Sequence, residues 1–128
     1  MKNVSDAVRR AGMAATNEVV LHTPVKTGRA RINWRVQLGR YSGVAVVEGP
    51  STADRNTNKQ VASTKALIDA TNTLKTWKVG MGNIYVVNPV SYIVDLDQGT
   101  SAQARAGMTV FGIAAARDVL RRVRLLHG

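Results

Sequence analysis

The sequence contains no cysteine among its 128 residues. This absence excludes disulfide bonds, zinc sites built on thiolates and thiol nucleophiles in one step, and it suits a reducing compartment. Aromatic residues are also few, with two Trp, three Tyr and one Phe. The core must therefore be built from Ala, Val, Leu, Ile and Met.

Histidine is scarce, which leaves little material for a metal site or a catalytic triad. His22 and His127 lie near opposite ends of the chain. Asp95 and Asp97 form an acidic pair, but no third acid lies close to them in sequence. We therefore expect no enzymatic activity, no metal and no cofactor. The alternative that uses these two residues is a small hydrolase.

Long apolar runs are missing as well. The opening stretch MKNVSDAVRRAGM carries scattered charges and no apolar run of about seven residues or more. It therefore predicts neither a secretory signal nor a membrane span, and we expect a soluble protein made in the cytoplasm. The length suits one domain, residues 1–128, that buries roughly two-thirds of its unfolded surface.

Positive charge is abundant. Eighteen Lys and Arg against eight Asp and Glu give a formal net charge of +10. The positive electrostatic field of such a charge attracts polyanions or acidic partners. A subunit whose charge is balanced by its neighbours in an assembly is the other interpretation, and it requires no contact with nucleic acid.

The spacing of apolar residues predicts three helices. Residues 4–21 place small or apolar side chains at helical intervals, with Asn3 or Ser5 available as the N-cap. A middle helix is expected within residues 61–78, and a long closing helix over residues 106–126. The small residues of the first helix favour close approach of another backbone.

Three strands are predicted between these helices. Residues 30–38 alternate between apolar and polar side chains, residues 44–48 form a short apolar run, and residues 83–88 follow a glycine. The first two would form a β-hairpin, and residues 50–60 would be an exposed loop. The predicted fold is α+β, a small and mostly antiparallel sheet packed by the N-terminal, middle and C-terminal helices.

Two sets of arginines are candidates for contact with DNA or with an acidic partner. The alternation predicts one set on a single face of the first strand, and helical spacing places the other on the closing helix. Solvated faces or interface ion pairs explain each arginine equally well. No helix-turn-helix, zinc finger or ribonucleoprotein motif accompanies them. The two sets are Arg29, Arg31 and Arg35, and Arg117, Arg121 and Arg124.

Three sequence features together resemble the tail-completion, or neck, proteins of long-tailed bacteriophages. They are the Thr-Pro-x-x-Thr-Gly loop within TPVKTGRARINWRV, the strand-Asn-x-x-x-Tyr segment from Ile84 to Tyr92, and the run GTSAQARAG from Gly99 to Gly107. Their order and spacing match over most of the chain, and most weakly over residues 44–80. Arg105 stands where the family usually has proline, and Val90-Ser91 replaces the usual Leu-Pro.

The resemblance implies a structural subunit of a ring, with a hexamer as the expected size, at the head-tail junction of the virion. Such a ring meets the head connector or stopper on one side and the tail terminator or tail tube on the other, and genomic DNA passes through it. A terminator or connector subunit is the alternative, and a small basic nucleic-acid-binding module is the alternative of another class. The implied interface residues are Tyr92, Asp95, Asp97, Gln98, Thr100, Ser101 and Gln103.

Overall fold

The computed structural model describes residues 4–25, 27–94 and 108–127, with the side chains of residues 123–127 left out of the description. Helices pack against a two-stranded antiparallel sheet, which confirms the α+β class. The elements in chain order are α1 (Val4–Leu21), α2 (Arg29–Ile32), β1 (Arg35–Gly39), α3 (Arg55–Leu74), β2 (Asn83–Val87) and α4 (Thr109–His127). Within these ranges, no helix is both long and apolar enough to cross a membrane.

Helix α1 has the predicted bounds and lies at the centre of the helical layer. It packs against α4 most extensively and also against α3. Another backbone approaches a small residue of α1 closely, as predicted: a Cβ added at Gly112 of α4 would lie 3.1 Å from the Ala15 carbonyl oxygen and 2.8 Å from Val19 Cγ1. The core cluster continues from α1 through Trp34, Ala66 and Met108.

The first predicted strand begins too early. Residues Arg29–Ile32 form a short helix, and β1 begins only at Arg35. Gly28 starts this turn in the left-handed region, at φ +89°, and its carbonyl accepts a hydrogen bond from the Ile32 N–H at 2.9 Å. These local bonds outweigh the period-two pattern. The predicted strand face of three arginines is therefore wrong.

The predicted strand at residues 44–48 is not formed, so no hairpin follows β1. Side-chain amides bond this segment in place of a ladder: Asn33 Oδ1 accepts from the Val47 N–H at 2.8 Å, and Asn33 Nδ2 donates to the Val47 carbonyl at 2.7 Å. Strand β1 instead pairs with β2, in the register Arg35↔Val87 to Gly39↔Asn83. Strand β2 thus forms within the predicted range 83–88.

The loop predicted at residues 50–60 ends earlier, because α3 begins at Arg55. Asp54 caps the helix: its carboxylate accepts from the Asn56 N–H at 3.1 Å and from Thr57 Oγ1 at 2.7 Å. The hydrogen bond from the Thr57 hydroxyl and then that from the Asn56 amide lower the pKa of Asp54. The buried Asn58 bonds Thr52, which orders the segment before the cap. The middle helix is therefore displaced toward the N-terminus of the predicted range.

Candidate assembly interface

Two of the three family-like segments, far apart in sequence, meet in the structure. Trp34 Nε1 donates to Thr23 Oγ1 at 2.7 Å, and that hydroxyl in turn donates to the Val19 carbonyl at the end of α1. Asn88 Nδ2, from the segment after β2, donates to the Ala30 carbonyl of α2 at 2.8 Å. The Thr-Pro loop and the strand-Asn segment therefore form one structural unit.

Arg31 is an internal part of this unit. Its side chain is buried, with 4% of the residue exposed. The guanidinium donates to the Thr23 carbonyl at 2.7 and 3.2 Å, to the Leu21 carbonyl at 3.0 Å and to Ser63 Oγ at 2.9 Å. Burial lowers the pKa of Arg31 below its usual value. Its guanidinium already bonds the end of α1, so the expectation that Arg31 faces a partner or DNA does not hold for this fold.

Arg29 and Tyr92, predicted as site residues on separate grounds, lie beside one another. The Arg29 guanidinium carbon is 5.9 Å from the centroid of the Tyr92 ring, within the range of a cation–π contact. Arg29 Nε also lies 3.7 Å from Glu48 Oε1, which is longer than a hydrogen bond. Tyr92 remains 37% exposed. Together they form a mixed aromatic and cationic surface next to Glu48.

The rest of the predicted interface falls largely outside the described residues. This holds for Asp95, Asp97, Gln98, Thr100, Ser101 and Gln103, and for the side chain of Arg124. Among the other candidates, Arg35 is half-buried on β1, whereas Arg117 and Arg121 are exposed on α4. Arg117 and Arg121 therefore remain available to a partner.

An apolar groove separates β2 from α4. Its volume is about 350 Å³, and Arg117 lies at its rim. Ile113 and Leu120 on α4 are 52% and 44% exposed, although they are large apolar side chains. The other lining residues come from α1, β2, α4 and the core: Ala15, Val19, Trp34, Val86, Thr109, Gly112 and Ala116. We call this surface the acceptor groove.

A second surface, the basic cleft, was not predicted from the sequence. Arg9 and Arg10 of α1 and Lys75 and Lys78 after α3 line it, above Met13, Thr71 and Leu74. Arg9 Nη1 donates to the Trp77 carbonyl at 2.6 Å, which ties α1 to the end of α3. Asp6 pairs with both arginines at 3.7 to 3.9 Å. The sequence gives no local signal for this cleft, because its cations come from two separate helices.

No group of three His, Cys, Asp or Glu within the described part of the chain is placed to hold a metal ion. His22 instead stacks on Phe111 of α4, with ring centroids 3.8 Å apart and an interplanar angle of 3°. Its Nε2 lies 3.0 Å from Glu18 Oε2. This histidine therefore has contacts that join α1 to α4.

Comparison with protein-family models, with characterised proteins and with solved structures finds no match for this chain.

Proposed function

We propose that this protein is a structural subunit of the ring at the head-tail junction of a long-tailed bacteriophage. The ring completes the tail or joins it to the head connector, and DNA passes through its centre. The protein acts by assembly and catalyses no reaction.

One observation carries the proposal: two of the three family-like segments, the Thr-Pro loop and the strand-Asn segment, form a single structural unit. The Thr23 hydroxyl meets Trp34, and Asn88 meets the backbone of α2. An accidental match to the family motifs would not predict that these residues lie in contact. The same unit presents Tyr92, one of the implied interface residues, at the surface beside Arg29.

The surface properties are those of an assembly subunit. The acceptor groove leaves large apolar side chains of α4 in contact with solvent, and such patches mark interaction sites. The formal charge of +10 suits a subunit whose neighbours are acidic or whose ring surrounds DNA.

Electron microscopy of particles made from a phage genome that lacks this gene tests the proposal. Full heads and separate tails of normal length are the expected products, and a copy of the gene supplied in trans should restore joined virions. Tails of variable length would instead assign the terminator role. Normal virions without the protein would refute the assignment.

A second candidate function is nucleic-acid binding through the phosphate backbone, which the basic cleft favours. Four cations line the cleft, and two of them, Arg9 and Arg10, pair with Asp6. Filter binding of duplex DNA at stepped salt concentrations separates the two functions, because a dedicated binder shows a steep dependence of log K on log salt. Tight, sequence-preferring binding by a monomer would count against the ring.

A further inference from the structure

We propose that neighbouring copies of this chain join by strand addition. A segment of one copy, Tyr41–Glu48, pairs with the outer edge of β2 in the next copy and covers the acceptor groove. We call this segment the donor segment. The inference rests on the ring proposed above and names the contact that closes it.

The outer edge of β2 has no strand partner in the part of the chain that the structure describes. Strand β2 pairs with β1 along its full length on one side. On the other side, within residues 4–25, 27–94 and 108–127, no strand lies beside it. A strand edge whose N–H and C=O groups lack partners is a template for pairing with another chain.

The space beside β2 can accommodate one more strand. In the described fold β1 packs on α3 and β2 packs on α1, and α1 in turn packs against α4. No strand covers α4 in the described residues, and the acceptor groove occupies that space. A strand added about 4.8 Å from β2 would cover Ile113 and Leu120, the exposed apolar residues of the groove.

The donor segment has the sequence of a strand but no strand partner. Its letters, YSGVAVVE, include three valines, and the short apolar run at residues 44–48 predicts a strand. In the subunit it is exposed: Tyr41 is 62%, Val46 36% and Val47 43% exposed. The prediction of a strand here failed for the isolated chain, and strand addition gives this sequence a partner.

Two side-chain amides hold the donor segment at its ends. Gln37 exchanges hydrogen bonds with the backbone of Ser42, at 2.8 Å from Nε2 and 3.0 Å to Oε1. Asn33 does the same with Val47, at 2.7 and 2.8 Å. Between them, no backbone hydrogen bond of residues 43–46 is formed within the described residues. The segment is therefore displayed with its backbone available, which reduces the entropy lost on binding.

Donor and acceptor are different surfaces, so one copy can use both at once. The donor segment is tied to β1 and to Asn33 just before it, whereas the acceptor is the far edge of β2. A head-to-tail contact of this kind generates a ring when the rotation closes. A two-fold dimer would require the same surface on both partners.

Paired variants test each side of the contact. Ala45→Pro removes a backbone N–H from the donor, and Ile113→Glu places a charge in the groove. Each should weaken self-association by about 100-fold or more. The matched controls are Ala45→Thr, which keeps the N–H, and Val110→Glu, which puts the same charge on α4 outside the groove. Both should associate like the unaltered protein. Circular dichroism establishes that each variant folds.

Mixing the two defective variants gives the sharpest result. Ala45→Pro keeps an intact groove, and Ile113→Glu keeps an intact donor, so native mass spectrometry should show a one-to-one dimer and nothing larger. Hydrogen exchange should slow in that dimer at every second residue of 84–87, where the amide faces away from β1 and gains a partner.

The outcomes separate this inference from the proposed function. An oligomer that forms equally well with Ala45→Pro and Ile113→Glu would overturn strand addition and leave the ring standing. A protein that stays monomeric at every concentration, with the β2 amides already protected, would overturn it as well. The copies could join by strand addition while the phage assembles normally without this protein. That pair of results would refute the head-tail role and leave the contact between copies established.

Discussion

The Arg31 guanidinium donates two hydrogen bonds to the Thr23 carbonyl, at 2.7 and 3.2 Å. Through this contact, a charged side chain fixes the loop that follows α1. The last carbonyls of a helix have no partners within the helix and carry partial negative charge, so a buried cation suits this position.

Replacing Arg31 should therefore destabilise the fold. Arg31→Met removes the donor from the buried Thr23 carbonyl and from the part-buried Leu21 carbonyl, and we expect a loss of about 3 kcal/mol in the free energy of unfolding. Arg31→Lys should recover only part of it, because one ammonium cannot reproduce the planar fork. Urea denaturation measures both. The exposed Arg40→Met is the control, with an expected change within about 0.5 kcal/mol; equal losses at positions 31 and 40 would contradict the prediction.

Asn33 should hold the donor segment in place through its hydrogen bonds to the Val47 backbone. Asn33→Ala removes its bonds to the Val47 backbone and to the Arg29 carbonyl, at a cost of about 2 kcal/mol. The Val47 amide should then exchange with solvent faster. Gln37→Ala provides the comparison at the exposed end, with a cost of about 0.5 kcal/mol. If the Val47 amide exchanges at the same rate in Asn33→Ala, contacts other than those of Asn33 hold the donor segment.

Gly28 combines a left-handed backbone with close contacts. A Cβ at this residue would lie 2.8 Å from Pro50 Cδ, so Gly28→Ala should cost about 2 to 3 kcal/mol. Gly80 has a similar backbone, φ +101°, but nothing within 4 Å of its added Cβ. Gly80→Ala therefore measures the backbone strain alone, about 1 kcal/mol. Thermal unfolding of the two variants should separate the cost of backbone strain from the cost of the contact with Pro50. Equal losses of stability in Gly28→Ala and Gly80→Ala would show that the contact with Pro50 adds nothing.

The cap at Asp54 should make stability depend on pH in the acid range. Folding lowers the pKa of this carboxyl below its ordinary value of 3.8, so its stabilisation is present above that pH and is lost as the pH falls through the lower folded value. The melting temperature of Asp54→Ala should lie below that of the unaltered protein at pH 7, and the gap should close in acid. Asp69→Ala changes the net charge equally without removing the cap. A difference in melting temperature between Asp54→Ala and the unaltered protein that does not narrow in acid would contradict this prediction.

The basic cleft can be tested as the site of DNA contact. Lys75→Gln with Lys78→Gln should weaken duplex binding at all sequences and reduce the slope of log K against log salt by about two. Arg55→Gln with Lys59→Gln removes the same charge from the opposite end of α3. A larger effect of this second pair would place DNA elsewhere on the molecule.

The sequence predicted those elements whose side chains repeat over several turns or along a buried strand. Helix α1 and β2 follow such patterns, and α4 begins close to its predicted start. The pattern was misleading at residues 29–32, because a left-handed Gly28 begins a helical turn inside an alternating stretch. The start of α3 was missed although Asp54 is a good N-cap residue, because the polar composition of residues 55–60 predicted a loop.

The candidate surfaces were less predictable, because they depend on distant segments meeting. Arg29 and Tyr92 were each identified, but nothing in the sequence indicated that they adjoin. The burial of Arg31 depends on the carbonyls of Leu21 and Thr23, which carry no sequence signal. The basic cleft requires α1 and α3 to pack before its four cations come together.

The close packing of Gly112 on Val19 has a consequence for synthesis. The face of α1 that packs on α4 stays exposed until α4 has been translated, because α2, α3 and both strands lie between these two helices in the sequence. Contacts between such distant segments also slow folding, since a long loop must close first. The nascent chain therefore exposes this face of α1 while the segments between the two helices are made, which makes it a natural place for a chaperone to bind.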